Sequence, residues 1–222
     1  MFDFKNPRQE EVLPITRQSY RQAAQLLGRA FVDEPVSVAV YKNFSPDRRV
    51  RALTVDFTAE ISICLRKGYP LQMNGDGKVI AVAVIYPPGA YPLTASDQWL
   101  LLIKSFLGNG FYNIKGWMQW LEEVDNAHPK EPHYYLEYLG VEPEQQGKAF
   151  GSTIVQHLVS KADEERVGCY LENANPRNNS FYQRFGFQVI SEKEIIGVPS
   201  WFMWRPPVLN SDTTMNGQSS PI

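Results

Sequence analysis

Residues 134–152 read YYLEYLGVEPEQQGKAFGS. In this stretch an apolar run ends at Pro143, and a loop of small residues follows. Downstream of the loop, Ile154, Leu158 and Ala162 recur at the spacing of an amphipathic helix. The order predicts a strand, a tight loop and a helix packed on a sheet.

The loop has the features of a phosphate-binding site. The first turn of a helix has backbone N–H groups without intrahelical partners, and these attract an anion together with the helix dipole. Gly147, Ala149 and Gly151 carry little or no side chain, so a diphosphate can approach the backbone closely, and Lys148 adds a positive charge. Small residues at such a turn also serve tight packing, and the pattern alone leaves both interpretations open.

Two blocks carry a resemblance to a known superfamily. Residues 141–151 resemble the signature loop of the GCN5-related N-acetyltransferases (GNAT), and residues 175–187, NPRNNSFYQRFGF, resemble their second conserved block. Over residues 128–204 the chain is most similar to the puromycin N-acetyltransferase branch. The resemblance implies an α/β (α+β) fold, the GNAT fold, with a central mixed, mostly antiparallel twisted sheet of about seven strands flanked by helices and a helical insert before the fourth strand.

The resemblance also implies an activity. We expect an acetyl-CoA-dependent N-acetyltransferase that moves an acetyl group directly to a primary amine of a small molecule in a ternary complex. A protein N-terminal or lysine acetyltransferase is one alternative, and a non-catalytic acyl-CoA-binding sensor is another. The residues expected to contact acetyl-CoA are Leu139, Gly140, Val141, Gln146, Gly147, Lys148, Ala149, Phe150, Gly151, Ser152, Asn175, Asn178 and Tyr182.

Ala149 departs from the family pattern, which has glycine at this position. If the position requires a positive φ, alanine costs on the order of 1 kcal/mol. In an ordinary helical turn, the methyl group would matter only through contact with the diphosphate. Either way we expect acetyl-CoA binding to be weakened rather than abolished.

Acetyl transfer to an amine needs an acid, an oxyanion donor and a base. By resemblance, Tyr182 is the acid that protonates the leaving thiolate, and the N–H of Val141 or a neighbour faces the thioester carbonyl. Glu137 and Glu172 are the candidate bases, and either carboxylate could instead be structural. Strand alternation places Tyr135, Glu137, Leu139 and Val141 on one face.

The acceptor amine has candidate contacts in the first half of the chain. Asp33 and Glu34 follow the first predicted helix and could meet an amine, or could simply end the helix in solvent. Residues 92–127 read as an insert of two helices, 97–107 and 111–124. Its Trp117 and Trp120 could form an aromatic lid that favours an apolar or aromatic amine, or could pack the helices onto the sheet.

The remaining elements follow from local signals. Residues 12–16 predict a short strand, and Ser19 is expected to cap a helix that ends near residues 33–35. Ser45, followed by Pro46, predicts the start of a second helix. Residues 74–77, NGDG, predict a hairpin turn, and the apolar run at 80–85 predicts a central strand buried on both faces.

Composition narrows the class of protein. The chain has 222 residues, of which 43% are hydrophobic, and its net charge of −2 with a pI near 6.0 argues against a nucleic-acid partner. Two isolated cysteines predict neither a disulfide framework nor a zinc site, and three histidines without a close pair predict no metal. No signal peptide or membrane-spanning run is present, which predicts a cytoplasmic protein. A monomer and a homodimer are both open as its oligomeric state. We expect one acetyltransferase domain at 1–207 and a disordered tail at 208–222.

Overall fold

Seven strands form one mixed sheet in the computed structural model, which describes residues 11–109 and 114–208. Pairing among the described strands is antiparallel except between the fourth and the fifth. The fold class predicted from the sequence is therefore confirmed. In chain order the strands are β1 (Val12–Pro14), β2 (Leu71–Gly75), β3 (Lys78–Tyr86), β4 (His133–Val141), β5 (Gly168–Asn173), β6 (Gln188–Ile195) and β7 (Val198–Arg205).

The strands follow one another across the sheet as β1-β2-β3-β4-β5-β7-β6, so that β7 lies between β5 and β6. Helices cover both faces of this sheet. None of the helices in the described part of the chain is long and apolar enough to cross a membrane. The helices are α1 (Tyr20–Ala30), α2 (Pro35–Val40), α3 (Pro46–Lys67), α4 (Ala95–Asn109), α5 (Ile114–Ala127), α6 (Phe150–Glu165) and α7 (Asn179–Gln183).

The core is divided by β3, whose residues from Val79 to Tyr86 are all buried. Val82 and Val84 pack on the side of α1 and α3, whereas Ala83 and Ile85 pack on the side of α6. The prediction of a central strand covered on both faces is confirmed. Removing apolar surface of this kind from water stabilises the fold by about 25 cal/mol per Å².

The hairpin between β2 and β3 also follows its sequence. Gly75 pairs with Lys78, and the two residues between them, Asp76 and Gly77, have φ values of 50° and 74°. A two-residue turn needs positive φ at both positions in order to match the twist of the strands. Aspartate and glycine tolerate this conformation, which is why the turn forms here.

The first helix differs from its prediction at both ends. Ser19 occupies the N-cap position of α1, but its side chain makes no capping bond and instead accepts a hydrogen bond from the N–H of Thr16 at 3.0 Å. The helix ends at Ala30, before the expected boundary. Pro35 then starts α2, because proline suits the first helical position and the Glu34 carboxylate caps the N–H groups of that turn.

A β-bulge in β4 overturns the expected alternation. Val84 pairs with Tyr138 while Ile85 pairs with Leu136, so that Glu137 is an extra residue on this strand. An extra residue changes the phase of the side chains that follow it. Tyr135 and Tyr138 therefore pack on the α1–α3 side, and Leu139 and Val141 pack on the α6 side, contrary to the prediction that residues 135, 137, 139 and 141 share one face.

The insert of two helices lies against α3. Asp97 near the start of α4 forms ion pairs with Arg66 (3.3 Å) and Lys67, and Ser105 donates a hydrogen bond to Asp56 at 2.7 Å. Lys193 of β6 pairs with Glu123 of α5 at 3.0 Å. These contacts hold the insert over the α1–α3 face. The predicted start of its second helix at residue 111 and the predicted tail from 209 onward lie outside the described residues.

Candidate active site

Strands β4 and β5 separate after a short region of pairing. Tyr135 pairs with Tyr170 at the end of this ladder, while β4 continues to Val141 and β5 to Asn173. Leu139, Gly140 and Val141 thus lie on a stretch of β4 that pairs with β3 alone among the described strands. An edge of this kind exposes backbone groups to which a ligand can bind.

The loop that follows β4 leads directly into α6. Gly147 and Ala149 both have left-handed backbone, with φ values of 78° and 68°. Ala149 is the N-cap residue and provides no side-chain cap, so the N–H groups of the first turn, from Phe150 onward, keep their capacity for an anion. A glycine would adopt this conformation without strain, whereas alanine costs on the order of 1 kcal/mol.

The other loop residues hold or border this turn. Gln146 donates a hydrogen bond to the backbone oxygen of Val141 at 3.3 Å, and Lys148 donates one to the Gln145 side chain at 2.9 Å. Gly151 lies beside Phe181, which a Cβ at residue 151 would approach to 3.7 Å. Ser152 is half-buried in the first turn of α6. A flexible positive side chain and free backbone N–H groups suit a diphosphate.

The second sequence block forms a turn braced by asparagines. Asn175 caps the turn Pro176–Asn178, because its side-chain oxygen accepts from the N–H of Arg177 at 3.1 Å. Asn173 donates to the backbone oxygen of Asn175 at 2.8 Å and to the side chain of Asn179 at 2.7 Å. Asn175 therefore holds the loop, and the exposed Asn178 ends the same turn. The role of Asn173 was not predicted.

Tyr182 lies on α7 and is buried in the cluster on the α6 face. Its ring packs against Phe181 and Phe187 with centroid distances of 5.0 and 5.9 Å. Burial raises the pKa of this phenol well above its usual value, so it holds its proton at neutral pH. A protonated phenol is the form that a general acid requires.

A cavity of about 570 Å³ lies on the opposite face of the sheet, between α3, the insert and strands β4 and β5. Its wall includes Glu34, Trp117, Trp120, Glu137 and Glu172, five of the predicted site residues. Asp33 does not line it: its side chain is 85% exposed and lies 3.7 Å from Arg49. The size suits a small organic molecule.

The charged side chains of the cavity wall are all acidic. Seven carboxylate side chains line it, and within the described part of the chain its wall contains no lysine, arginine or histidine. A single buried carboxylate already tends to become neutral, and like charges nearby strengthen that tendency. The seven are Glu34, Asp56, Glu60, Glu122, Asp125, Glu137 and Glu172.

Burial raises the pKa values of five of these acids toward neutral pH. It raises the pKa of Glu172 to about 7, an effect that the nearby hydroxyls of Tyr135 and Tyr170 partly offset. It likewise raises the pKa of Glu34 to about 7 and that of Asp56 to about 6. Burial raises the pKa values of Glu60 and Glu137 too, and each is raised further by a neighbouring carboxylate. Groups tuned in this way are common at catalytic sites.

Asp56 and Glu60 were not identified from the sequence. They follow Leu53 and Phe57 by three residues and lie four residues apart, so they share the apolar side of α3. The sequence signal that could have identified them is the presence of acidic residues on the otherwise apolar face of a helix. It was missed because acids on helices usually face solvent.

The histidines also depart from expectation. His128 and His133 are in contact, with 3.0 Å between their Nε2 atoms, although five residues separate them. The ring of His128 packs against Tyr91, Tyr135 and Tyr170. Burial lowers the pKa of both histidines, that of His128 to about 3, so both are neutral and support the wall behind the cavity.

Known proteins share this architecture. A curated relative, an uncharacterized N-acetyltransferase of Schizosaccharomyces pombe, is 24% identical over 213 residues, covering 89% of this chain and 83% of the relative. A solved structure described as histone acetyltransferase HPA2 and related acetyltransferase from Corynebacterium glutamicum is 20% identical with a TM-score of 0.64, covering 90% and 97% of the two chains. These likenesses agree on an acetyltransferase fold.

A third similar structure is the polyamine N-acetyltransferase of Drosophila melanogaster, an enzyme that forms N-acetylagmatine. It is 13% identical with a TM-score of 0.57, covering 87% of this chain and 97% of its own. The model of the acetyltransferase (GNAT) family matches residues 37–187, which include the loop before α6, the asparagine-braced turn and Tyr182. The chain belongs to the GNAT family of acetyltransferases.

Proposed function

We propose that this acyltransferase moves an acetyl group from acetyl-CoA to a primary amine of a small molecule by direct transfer in a ternary complex. The observation that carries the proposal is the acidic cavity, because it meets the gap between β4 and β5 at Glu137 and Glu172. An ammonium ion is attracted to such a cavity, and a carboxylate there can remove its proton.

The loop before α6 supports acetyl-CoA as the cosubstrate. Its backbone and Lys148 suit a diphosphate, and the separated strands leave room for an extended chain beside Leu139 and Gly140. Acetyl-CoA supplies the activated acetyl group when bound. The remaining contacts proposed for it are those predicted from the sequence, at residues 141, 146–152, 175, 178 and 182.

Separate groups of the chain act as the base, the oxyanion donor and the acid of the reaction. Glu137, with Glu172 as the second candidate, takes the proton from the acceptor ammonium, so that a neutral amine can attack the acetyl carbon. The N–H of Val141 faces the carbonyl oxygen as it gains charge. Tyr182 gives its proton to the thiolate that leaves. It lies on the α6 face of the sheet, and the end of the β4–β5 pairing at Tyr135 and Tyr170 supports a route from that face to the cavity.

The acceptor side of the site belongs to the first half of the chain and the insert. Glu34, at the start of α2, and the rings of Trp117 and Trp120 border the cavity. An aromatic lid over an acidic floor supports the proposal of a small amine with an apolar or aromatic part. Asp33 faces away and is left out of the proposed contacts.

Two finer assignments rest on the sequence. We propose that the chain stands near the puromycin N-acetyltransferase branch, supported by the likeness at residues 128–132 and 171–173 and at Trp201. We also propose a cytoplasmic location, supported by Cys64 and Cys169, which are both buried free thiols.

The similar Drosophila structure named above is a polyamine N-acetyltransferase, which supports a small-molecule acceptor.

The test is thiol release from acetyl-CoA with a panel of monoamines, diamines, arylalkylamines and puromycin, with the acetylated product identified by mass. Direct transfer predicts intersecting double-reciprocal lines when both substrates are varied. Parallel lines would indicate a covalent acetyl-enzyme instead. Acetyl-CoA binding without release with any amine or peptide would favour the non-catalytic sensor, and release with peptides alone would favour a protein acetyltransferase.

A further inference from the structure

The central carboxylates of the cavity have unused hydrogen-bonding capacity. One buried oxygen of each of Glu60, Glu137 and Glu172 accepts no hydrogen bond from the part of the chain that the structure describes. A buried acceptor left without a partner costs about 1–3 kcal/mol, and more when it is charged. Three such atoms in one cavity point to donors that a ligand would bring.

Two other carboxylates of the cavity wall are satisfied by the protein itself. Asp56 accepts hydrogen bonds from Tyr41, from Ser105 at 2.7 Å and from Asn109 at 3.0 Å. Asp125 accepts from Tyr91 at 2.8 Å. These two acids tie the insert to its surroundings. Among the carboxylates that the structure describes, the buried unpaired oxygens belong to Glu60, Glu137 and Glu172.

The elements that carry the three acids define an order. Glu172 lies on β5, Glu137 on the neighbouring β4, and Glu60 on α3, which packs on β3 at the other side of β4. The charges of Glu60 and Glu172 both raise the pKa of Glu137. Glu137 is therefore the middle member of a row that runs from β5 across β4 to α3. An ammonium ion held between Glu137 and Glu172 leaves the unpaired oxygen of Glu60 for a second cationic group, which would pair with it at about 3 Å.

The wall beside this row suits an apolar spacer. The ring of Tyr138 packs edge-on against Phe57, with centroids 5.0 Å apart, and against Phe31 at 5.8 Å. These three side chains line the same cavity. Methylene groups can pack on them, and their faces attract a cation.

We propose that the acceptor is a linear molecule with a second cationic group, such as a diamine. This inference rests on the proposed function and specifies its substrate class. The amine to be acetylated lies between Glu137 and Glu172, next to the gap in the sheet. The second cation binds Glu60, and the spacer crosses Tyr138. Glu60 thus determines substrate specificity. Removal of the proton from the acceptor amine is the role of Glu137 or Glu172.

The test compares ligands of equal length. Calorimetry at pH 8 with saturating CoA measures the affinity for 1,4-diaminobutane, for butylamine and for 4-amino-1-butanol, in which a hydroxyl group replaces the second ammonium. The diamine should bind at least about tenfold more tightly than either monoamine, the gain expected for a well-paired buried charge. Equal affinities for the three would overturn the inference even if all are acetylated.

A variant of Glu60 tests whether this residue causes the preference for the diamine. Glu60→Gln should reduce the preference for the diamine over butylamine to about threefold or less, because the partner of the second cation is lost. Glu123→Gln, which lies outside the cavity wall, is the matched control and should keep the preference. A preference that survives Glu60→Gln would overturn the assignment of Glu60. If the variant does not fold, the three-ligand comparison on the wild type still decides.

The two proposals can fail separately. Tight diamine binding without thiol release would contradict catalysis and keep the dication site. Thiol release with butylamine at the efficiency seen with diaminobutane would keep catalysis and contradict the dication site.

Discussion

Glu137 of β4 and Glu172 of β5 line one cavity at the point where their strands separate, and each has a buried carboxylate oxygen without a partner in the described part of the chain. Two acids in this position repel one another when both are ionised, and each raises the other's proton affinity. A cation placed between them relieves the repulsion. The pair is therefore suited to receive an ammonium ion and to remove its proton.

Replacing the two acids separately should identify the base. Glu137→Gln should lower kcat by about 10²–10⁴-fold, the usual contribution of a general base, and Glu172→Gln should lower it less. In the wild type, kcat/KM should rise with pH as the base ionises. The variant that removes this rise identifies the base, and an unchanged pH profile in both variants would exclude both acids.

Tyr182→Phe should lower turnover while acetyl-CoA affinity changes little, because the ring packing remains and only the proton donor is lost. Tyr134→Phe is a suitable control, since its hydroxyl donates to Glu165 at 2.8 Å on α6. Steady-state kinetics and calorimetry on both variants provide the comparison. Normal turnover in Tyr182→Phe would remove it as the acid.

Ala149→Gly should increase the free energy of unfolding by up to about 1 kcal/mol, because φ at this residue is 68°. It should also tighten acetyl-CoA binding by removing a methyl group beside the diphosphate. Arg166, at the other end of α6, has φ of 56°, so Arg166→Gly should relieve similar strain without affecting acetyl-CoA. Unchanged acetyl-CoA affinity in Ala149→Gly would rule out the steric effect.

Glu172 should make stability fall as pH rises. Its pKa is about 7 in the folded chain and 4.5 ordinarily, so between these values the folded state binds more protons than the unfolded state. The free energy of unfolding should then drop across this window by on the order of 3 kcal/mol from this group.

Urea unfolding of the wild type and of Glu172→Gln at pH 4.5 and 7.5 measures this effect. The variant should gain stability relative to the wild type at the higher pH, because glutamine does not titrate. Glu123→Gln should follow the wild type. A stability difference that does not change with pH would show that Glu172 is solvated in the folded chain.

Trp117 and Trp120 should set the preference for the apolar part of the acceptor. Replacing both with alanine should reduce kcat/KM for arylalkylamines by about tenfold or more relative to short alkylamines, since each ring removes a large apolar area from water. Trp99→Ala is the control, because that ring is 65% exposed. An unchanged order of substrates would contradict the lid.

The sequence predicted the elements whose signals are local. The turn at Asp76-Gly77, the start of α3 at Pro46 and the buried run of β3 follow from φ preferences, capping and apolar periodicity. The loop from 146 to 152 was recognised because its small residues are adjacent in sequence. Ala149 has a positive φ, which is one of the two conformations that the sequence left open for this residue.

Features that depend on contacts between distant residues were missed. The bulge at Glu137 is fixed by the pairing of β4 with β3, so the alternation rule could not anticipate it. The acidic cavity requires α3, the insert and two strands to meet, and Asp56 and Glu60 look like ordinary helix acids until they do. The position of β7 between β5 and β6 likewise depends on pairing between distant strands, which local sequence signals do not show.

A calorimetric titration of the full chain with acetyl-CoA, with CoA for comparison, tests the central claim most directly. The account predicts one site per chain with a Kd in the micromolar range, equivalent to about 8 kcal/mol of binding free energy. Saturable binding with that affinity would establish acetyl-CoA as a ligand of the chain, as the loop before α6 predicts. The absence of any binding heat would contradict the acetyltransferase assignment and leave only the fold.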